Sequence, residues 1–494
     1  MSASRRSSVS SISSVSSTHS LVGPESRLVL VHDNFDGDDN ALTFEDSDYD
    51  DNFQVPVRTS SPPLSPSLVF LYLLSPHLKL GALLLPNVGL SLKIGLPALF
   101  LFAVLSAFAR QIWFMLARYV RQDDLTDVVV DVFVRSRGKT TMKKTLKIIV
   151  LFGSGILRIL LSVIFTRVSI GLLTPLFSGD FPFITPTILS VIVGFFLLPL
   201  CLGQSLSSKL VVYSTWASIV TFVLWFFCVT YAYSHRALEV DNAWLRMGAL
   251  WQGIATIAYA FASSNTLALH ASLRAGVRPS SSAAQKRPLS HSFKFLSVLS
   301  VSIALLFSIP LVIFAALPNR LSLQASRVQP FIVSLNAATL LLGVPSILVT
   351  VPKVPVFKRI RWRTSVPVSR LAVFAIVLML ANVPASVNVV LSDILIAFAL
   401  CATYFLPALL HIINHFFRQP LSIVIPSQPS TPNTSSPVGR HSSVNDPLLL
   451  RKEQALQKKQ WRRRIAWDLG VWTLLLPVGG GGFAWAIGTL FSRW

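Results

Sequence analysis

The chain has 494 residues, a net charge of +22, a mean hydropathy of +0.61 and only 13% charged residues. Soluble domains carry about 25% charged residues, so this chain has too few charges to coat several of them and most of its surface must face something other than water. Nucleic-acid binding is excluded as an explanation of the basic excess, because Lys and Arg lie in short stretches between long apolar runs, where they anchor a membrane surface.

In chain order, Met1 to about Pro66 forms a tail. Its Ser-rich start has no apolar core, so no cleavable signal peptide is expected and the first membrane helix would act as the insertion signal. Arg5-Arg6 before a serine run resembles a basophilic kinase target. The acidic block from Asp33 to Asp51 repels itself and buries nothing, which predicts a solvated, disordered tail.

Beyond the tail, apolar runs long enough to cross the ~30 Å hydrocarbon layer recur at 67–90, 93–117, 147–175, 184–203, 209–233, 247–272, 293–317, 328–351, 370–390, 391–416 and 465–490. The two between 370 and 416 are divided only at a short turn, Pro384 to Asn388. Basic residues concentrate in the loops 118–146, 273–292, 352–369 and 417–464. By the positive-inside rule these loops are cytosolic, as is the N-terminus, and an odd number of spans places Trp494 on the far side. The same loops would meet anionic lipids. Residues 417–464 begin Pro/Ser-rich and end in a basic amphipathic segment, Leu448 to Trp467. Asn433-Thr434-Ser435 is a glycosylation sequon that this topology leaves bare in the cytosol.

Two spans are interrupted. The first contains Ser75-Pro76-His77, Lys79-Leu80-Gly81-Ala82 and Leu85-Pro86; the sixth contains Phe261-Ala262-Ser263-Ser264-Asn265-Thr266. Breaks and charges at membrane depth are tolerated where the freed groups face protein, water or a ligand. A pair of breaks at matching positions in two five-helix halves points to an inverted-repeat transporter, although such residues also merely kink packed helices. Cys201, Cys228 and Cys401 lie in apolar runs, without disulfide or metal spacing. His411 and His415 share a helical face but have no third ligand nearby, so interfacial anchoring outweighs metal binding. Arg158, Arg167 and Asp393 would pair across helices or line a pathway. The glycines 479–482 fit close helix packing.

The order of several degenerate segments resembles the amino acid/auxin permease family. These are Ile192-Val193-Gly194-Phe195-Phe196-Leu197-Leu198-Pro199-Leu200-Cys201-Leu202, Tyr213-Ser214-Thr215-Trp216-Ala217-Ser218, Ile257-Ala258-Tyr259-Ala260-Phe261-Ala262-Ser263-Ser264-Asn265 and Gly81-Ala82-Leu83-Leu84-Leu85-Pro86. The resemblance implies an amino acid substrate, neutral in the family's sodium-coupled members, held near the midplane. The amides of Gly81, Ala82 and Leu83 would face its carboxylate, and carbonyls around Phe261, Ala262 and Ser263, with Asn265 beside them, its ammonium.

The chain also departs from the family pattern. Lys79 replaces the first glycine of the break, Ser263 and Ser264 stand near a Cys-His pair, and the Glu that closes span six is missing near Leu273. Leu340-Leu341-Leu342-Gly343 precedes Val344-Pro345 where a hydroxyl partner for sodium is usual; Thr339 would serve only with the helix shifted by a turn. Sodium coupling is therefore disfavoured and proton-coupled or uncoupled transport expected. Lys79 would either supply the charge that sodium supplies elsewhere, or face an aqueous vestibule or a carboxylate.

The sequence thus predicts an all-α polytopic membrane protein of about eleven transmembrane helices. A five-plus-five broken-helix, inverted-repeat core spans 67–416, with the tail 1–66, the cytosolic loop 417–464 and an extra helix in 465–494. No cofactor or metal is implied. The expected activity is amino acid transport in a vacuolar, lysosome-like or plasma membrane. A transport-dead nutrient sensor is the alternative, and a membrane-embedded transferase, which needs clustered acid/base groups, ranks last.

Overall fold

Every regular element among the described residues is helical, as long apolar runs require: in hydrocarbon each backbone N–H and C=O must be satisfied within its own segment. The computed structural model describes residues 62–120, 122, 124–134, 140–178, 186–203, 205–235, 249–276, 292–316, 328–352, 368–414, 465, 467–481 and 488. All lie in one unit, Val57–Trp494.

The first span comes in pieces. Helix α1 (Pro66–Leu74) passes into a 3-10 turn, Ser75–Leu78, and stops at Lys79, whose φ of −117° and ψ of −144° are not helical. It resumes as α2 (Leu80–Leu84) and a second 3-10 turn, Leu85–Asn87. Pro76 and Pro86 start the two 3-10 turns, where a missing N–H costs least. Helix α3 (Leu92–Val120) follows.

A short helix, α4 (Leu125–Phe133), corrects the expectation of a plain loop over 118–146. Asp124 caps it by accepting from the Thr126 amide, and Val128, Val129 and Val132 are buried in the core. Its signal was in the sequence: an N-cap aspartate before an apolar run.

Next come α5 (Thr140–Ser178), α6 (Pro186–Cys201) and α7 (Lys209–Ser234). The sixth span divides into α8 (Ala249–Ala260) and α9 (Thr266–Gly276), with 261–265 non-helical between them. After α10 (Phe293–Ala316), α11 (Gln329–Leu341) and α12 (Val344–Leu348) form one span bent at Leu342-Gly343.

Helix α13 (Val368–Ala381) is shorter than its expected span: 14 residues reach about 21 Å at 1.5 Å each. Helix α14 begins at Ala385 (Ala385–Leu400), so residues 385–390 belong to the next span. Pro384, extended at the N-cap, sets that start. A π turn, Cys401–Phe405, leads into α15 (Leu406–Ile412).

Among the described residues, seven segments are long and apolar enough to cross a membrane: Pro66–Asn87, Leu92–Ala117, Thr141–Phe177, Lys209–Ser234, Phe293–Ala316, Gln329–Leu348 and Val387–Ile412. Large apolar side chains such as Phe195, Phe196, Leu306 and Met379 point outward. An apolar exterior on long apolar helices belongs in lipid, and the chain is a multi-pass, all-α membrane protein. The acidic tail, the segment 448–464, the sequon and His415 lie outside the described residues.

Candidate functional site: two helix breaks in contact

The two breaks meet. A Cβ on Gly81 would fall 2.3 Å from the Cα of Ala260, the last residue of α8. Only glycine allows the resumed helix α2 to lie this close to the sixth span. Gly81, Ala82 and Leu83 are all buried there, and the Leu83 amide donates to the Lys79 carbonyl at 3.0 Å. In this conformation that amide is already used within the chain.

Side chains occupy the carbonyls freed by the second break. Ser106 of α3 donates to the Phe261 carbonyl at 2.8 Å, and Tyr404 to the Ala258 carbonyl at 3.1 Å. The Ser263 amide donates to the Thr403 hydroxyl at 3.0 Å. Thr403 and Tyr404 both come from the π turn Cys401–Phe405, and such turns concentrate at functional sites because they re-aim side chains. His77, in the first break, lies against Phe261 in the second, with ring centroids 5.8 Å apart.

A buried arginine ties these parts together. Arg110 of α3 donates through Nη1 to Ser300 (2.8 Å) and through Nη2 to the Leu73 carbonyl (3.0 Å) and His77 Nε2 (2.6 Å). A guanidinium only donates, so Nε2 accepts and the imidazole proton sits on Nδ1. Nδ1 then donates to the Ala260 carbonyl at 3.1 Å. His77 is thereby fixed as a neutral bridge between the breaks.

Lys79 turns to α12 instead. Its ammonium donates to the Gly343 carbonyl and the Ser346 hydroxyl, each at 3.3 Å. Thr339, the hydroxyl considered from sequence, bonds Thr221 and the Leu335 carbonyl.

Of the residues singled out in the sequence, Lys79, Gly81, Ala82, Phe261 and Ser263 converge on the breaks. Asn265 is held by Arg158, which also donates to the Thr350 carbonyl. Arg167 donates to the Ala381 and Val383 carbonyls at the end of α13. Arg158 and Arg167 thus bond to neutral oxygens on other helices. Asp393 is buried in α14, His411 lies near Trp467, and Gly479 packs against Phe405.

Sequence reasoning missed Arg110, Ser106, Ser346, Thr403 and Tyr404. For Arg110 the signal was present, a charge in the middle of an apolar run. No protein-family model matches the chain, and no curated protein matches it significantly.

Proposed function

We propose that the chain is a secondary transporter that moves a small solute by alternating access. The contact of two interrupted spans at Gly81 and Ala260 carries this reading. Helices that stop at membrane depth offer unpaired backbone groups to a ligand, and two half-helices can rock against their neighbours. In the proposed arrangement about eleven spans form two five-helix inverted repeats plus one further helix. The breaks then fall in the first helix of each repeat.

The resemblance to amino acid permeases makes amino acids the substrate class, with the site at Gly81, Ala82, Leu83 and the segment 261–263. Lys79 holds the ammonium position between the first break and α12, where a cation bridging these helices would otherwise sit. Transport is then independent of sodium, driven by protons or uncoupled.

Uptake of labelled amino acids by proteoliposomes containing the full chain tests this. Accumulation without sodium, abolished in liposomes lacking the protein, is expected. Absence of uptake across all amino acids and small carboxylates, with and without a pH gradient, would replace the transporter by the sensor alternative.

A further inference from the structure

Two buried cations stand at the breaks. Arg110 is 2% exposed and Lys79 4%. Their hydrogen-bond partners are carbonyl oxygens, hydroxyls and the neutral imidazole of His77. Neither cation forms an ion pair with a carboxylate of the described residues; Lys147–Asp127 pairs on the exterior. A guanidinium does not surrender its proton inside a protein. Held in hydrocarbon, its charge is costly unless an anion meets it.

Arg110 also retains an unused donor: its Nε is buried and has no hydrogen-bond partner. Meanwhile the carbonyls expected to receive a substrate ammonium are engaged, Ala260 by His77 and Phe261 by Ser106. An ammonium would have to displace them while sitting among two cations.

We infer that Arg110 receives a carboxylate of the transported solute and that this solute is a small carboxylate of net negative charge. This rests on the transport reading and changes the expected substrate from a neutral amino acid to an acidic one, or to a dicarboxylate. The carboxylate takes the free Nε–H and, by displacing Leu73 or His77, the neighbouring Nη2–H in the paired geometry that guanidinium offers. His77 joins Arg110 to the Ala260 carbonyl, so a carboxylate arriving on Arg110 perturbs the contact between the breaks.

The test is thermal unfolding of the purified full chain in detergent. The probes are L-glutamate, succinate, L-alanine, L-lysine and potassium chloride, followed by uptake of the same solutes into proteoliposomes. Glutamate, succinate or both should raise the wild-type unfolding temperature by about 2 °C or more, while alanine, lysine and chloride should not. Arg110→Lys keeps the charge but loses the paired geometry, and should weaken the response about tenfold or more. A shift from alanine or lysine but not from the acids overturns the proposal, as does a shift produced by potassium chloride alone. Alanine uptake without an acid-dependent shift preserves the transport reading and removes this inference. An Arg110-dependent acid shift without uptake does the reverse.

Discussion

The ammonium of Lys79 lies 3.3 Å from the carbonyl oxygen of Gly343, a residue 264 positions later in the chain. Ser346 completes the contact: its hydroxyl accepts from Lys79 at 3.3 Å and donates to the same carbonyl at 2.8 Å. Lys79 is the non-helical residue at the first break, and Gly343 the bend between α11 and α12. The bond therefore joins two interruptions of helical structure, where carbonyl acceptors are not all used by the helix. A cation at membrane depth needs such acceptors.

Removal of the Lys79 ammonium should alter coupling more than folding. Lys79→Gln is expected to leave sodium-independent uptake but flatten its dependence on an imposed pH gradient. Gly343→Ala puts a Cβ 2.8 Å from the Lys79 Cε and Nζ, so the flexible lysine end must move off its acceptors. Hydrogen bonds to charged groups are worth about 1.5–3 kcal/mol, and G343A should slow uptake by roughly tenfold or more. Strict sodium dependence in the wild-type protein would refute the role given to Lys79.

Gly81→Ala should damage the protein at the contact of the breaks. The new methyl meets backbone at 2.3 Å, which cannot rotate away. Overpacking of this kind costs about 1–3 kcal/mol, and the unfolding temperature in detergent should fall accordingly. Gly153→Ala is the control, since its Cβ meets nothing within 4 Å and it lies inside α5. Equal behaviour of the two variants would show that the close approach at Gly81 has no energetic weight. Loss of uptake in G81A or G81V alone does not identify a substrate contact, because packing explains it as well.

Local chemistry made the breaks legible. Proline, glycine and small polar residues disturb a helix wherever they sit, so residues 75–86 and 261–265 announced themselves without knowledge of any partner. What these residues touch depends on helices far away in the chain. Ser346 looked like an ordinary span residue until the bend at Gly343 aimed it at Lys79. Thr403 and Tyr404 reach the second break from a π turn, which has no strong sequence signature. The short α13 was drawn too long because apolar residues resume straight after Asn382-Val383-Pro384, so the turn was placed a few residues too late.

His77 should be structural as well as central. His77→Ala leaves the Ala260 carbonyl without its side-chain donor and Arg110 without one acceptor. Each unsatisfied buried group costs about 1–3 kcal/mol, so a clear drop in unfolding temperature is expected. His77→Asn has an amide carbonyl and an NH₂ but a shorter reach, and should recover part of the loss. A thermal stability unchanged in H77A would show that the Arg110–His77–Ala260 chain holds nothing together.

Topology follows from the distribution of basic loops. Epitope tags at the two ends should be digested from opposite sides of sealed vesicles, the N-terminal one from the cytosolic side. Protection of both tags on the same side would remove the odd number of spans, and with it the eleventh helix outside the two repeats.

Arg158 is expected to latch the second break. From α5 it donates to Asn265 Oδ1 at 3.2 Å, at the start of α9, and to the Thr350 carbonyl beyond α12. One guanidinium thus ties three spans at the end of the bundle that the basic loops assign to the cytosol. Any opening on that side must break these bonds, and their loss should shift the population toward open states. Ser263 reports on this, because it is buried beside the break and its hydroxyl makes only a long contact, 3.4 Å, with Thr266. In a protein with Cys201, Cys228 and Cys401 replaced, Ser263→Cys should react slowly with a charged, membrane-impermeant maleimide added from the cytosolic side. Adding Arg158→Gln should speed that reaction by about 5–30-fold, the effect of 1–2 kcal/mol on an opening equilibrium. The hydrogen bonds go to neutral oxygens that one ammonium cannot all reach, so Arg158→Lys should fall between the two. An R158Q rate equal to that of the parent would mean that Arg158 merely caps the end of α12 and that the opening step lies elsewhere.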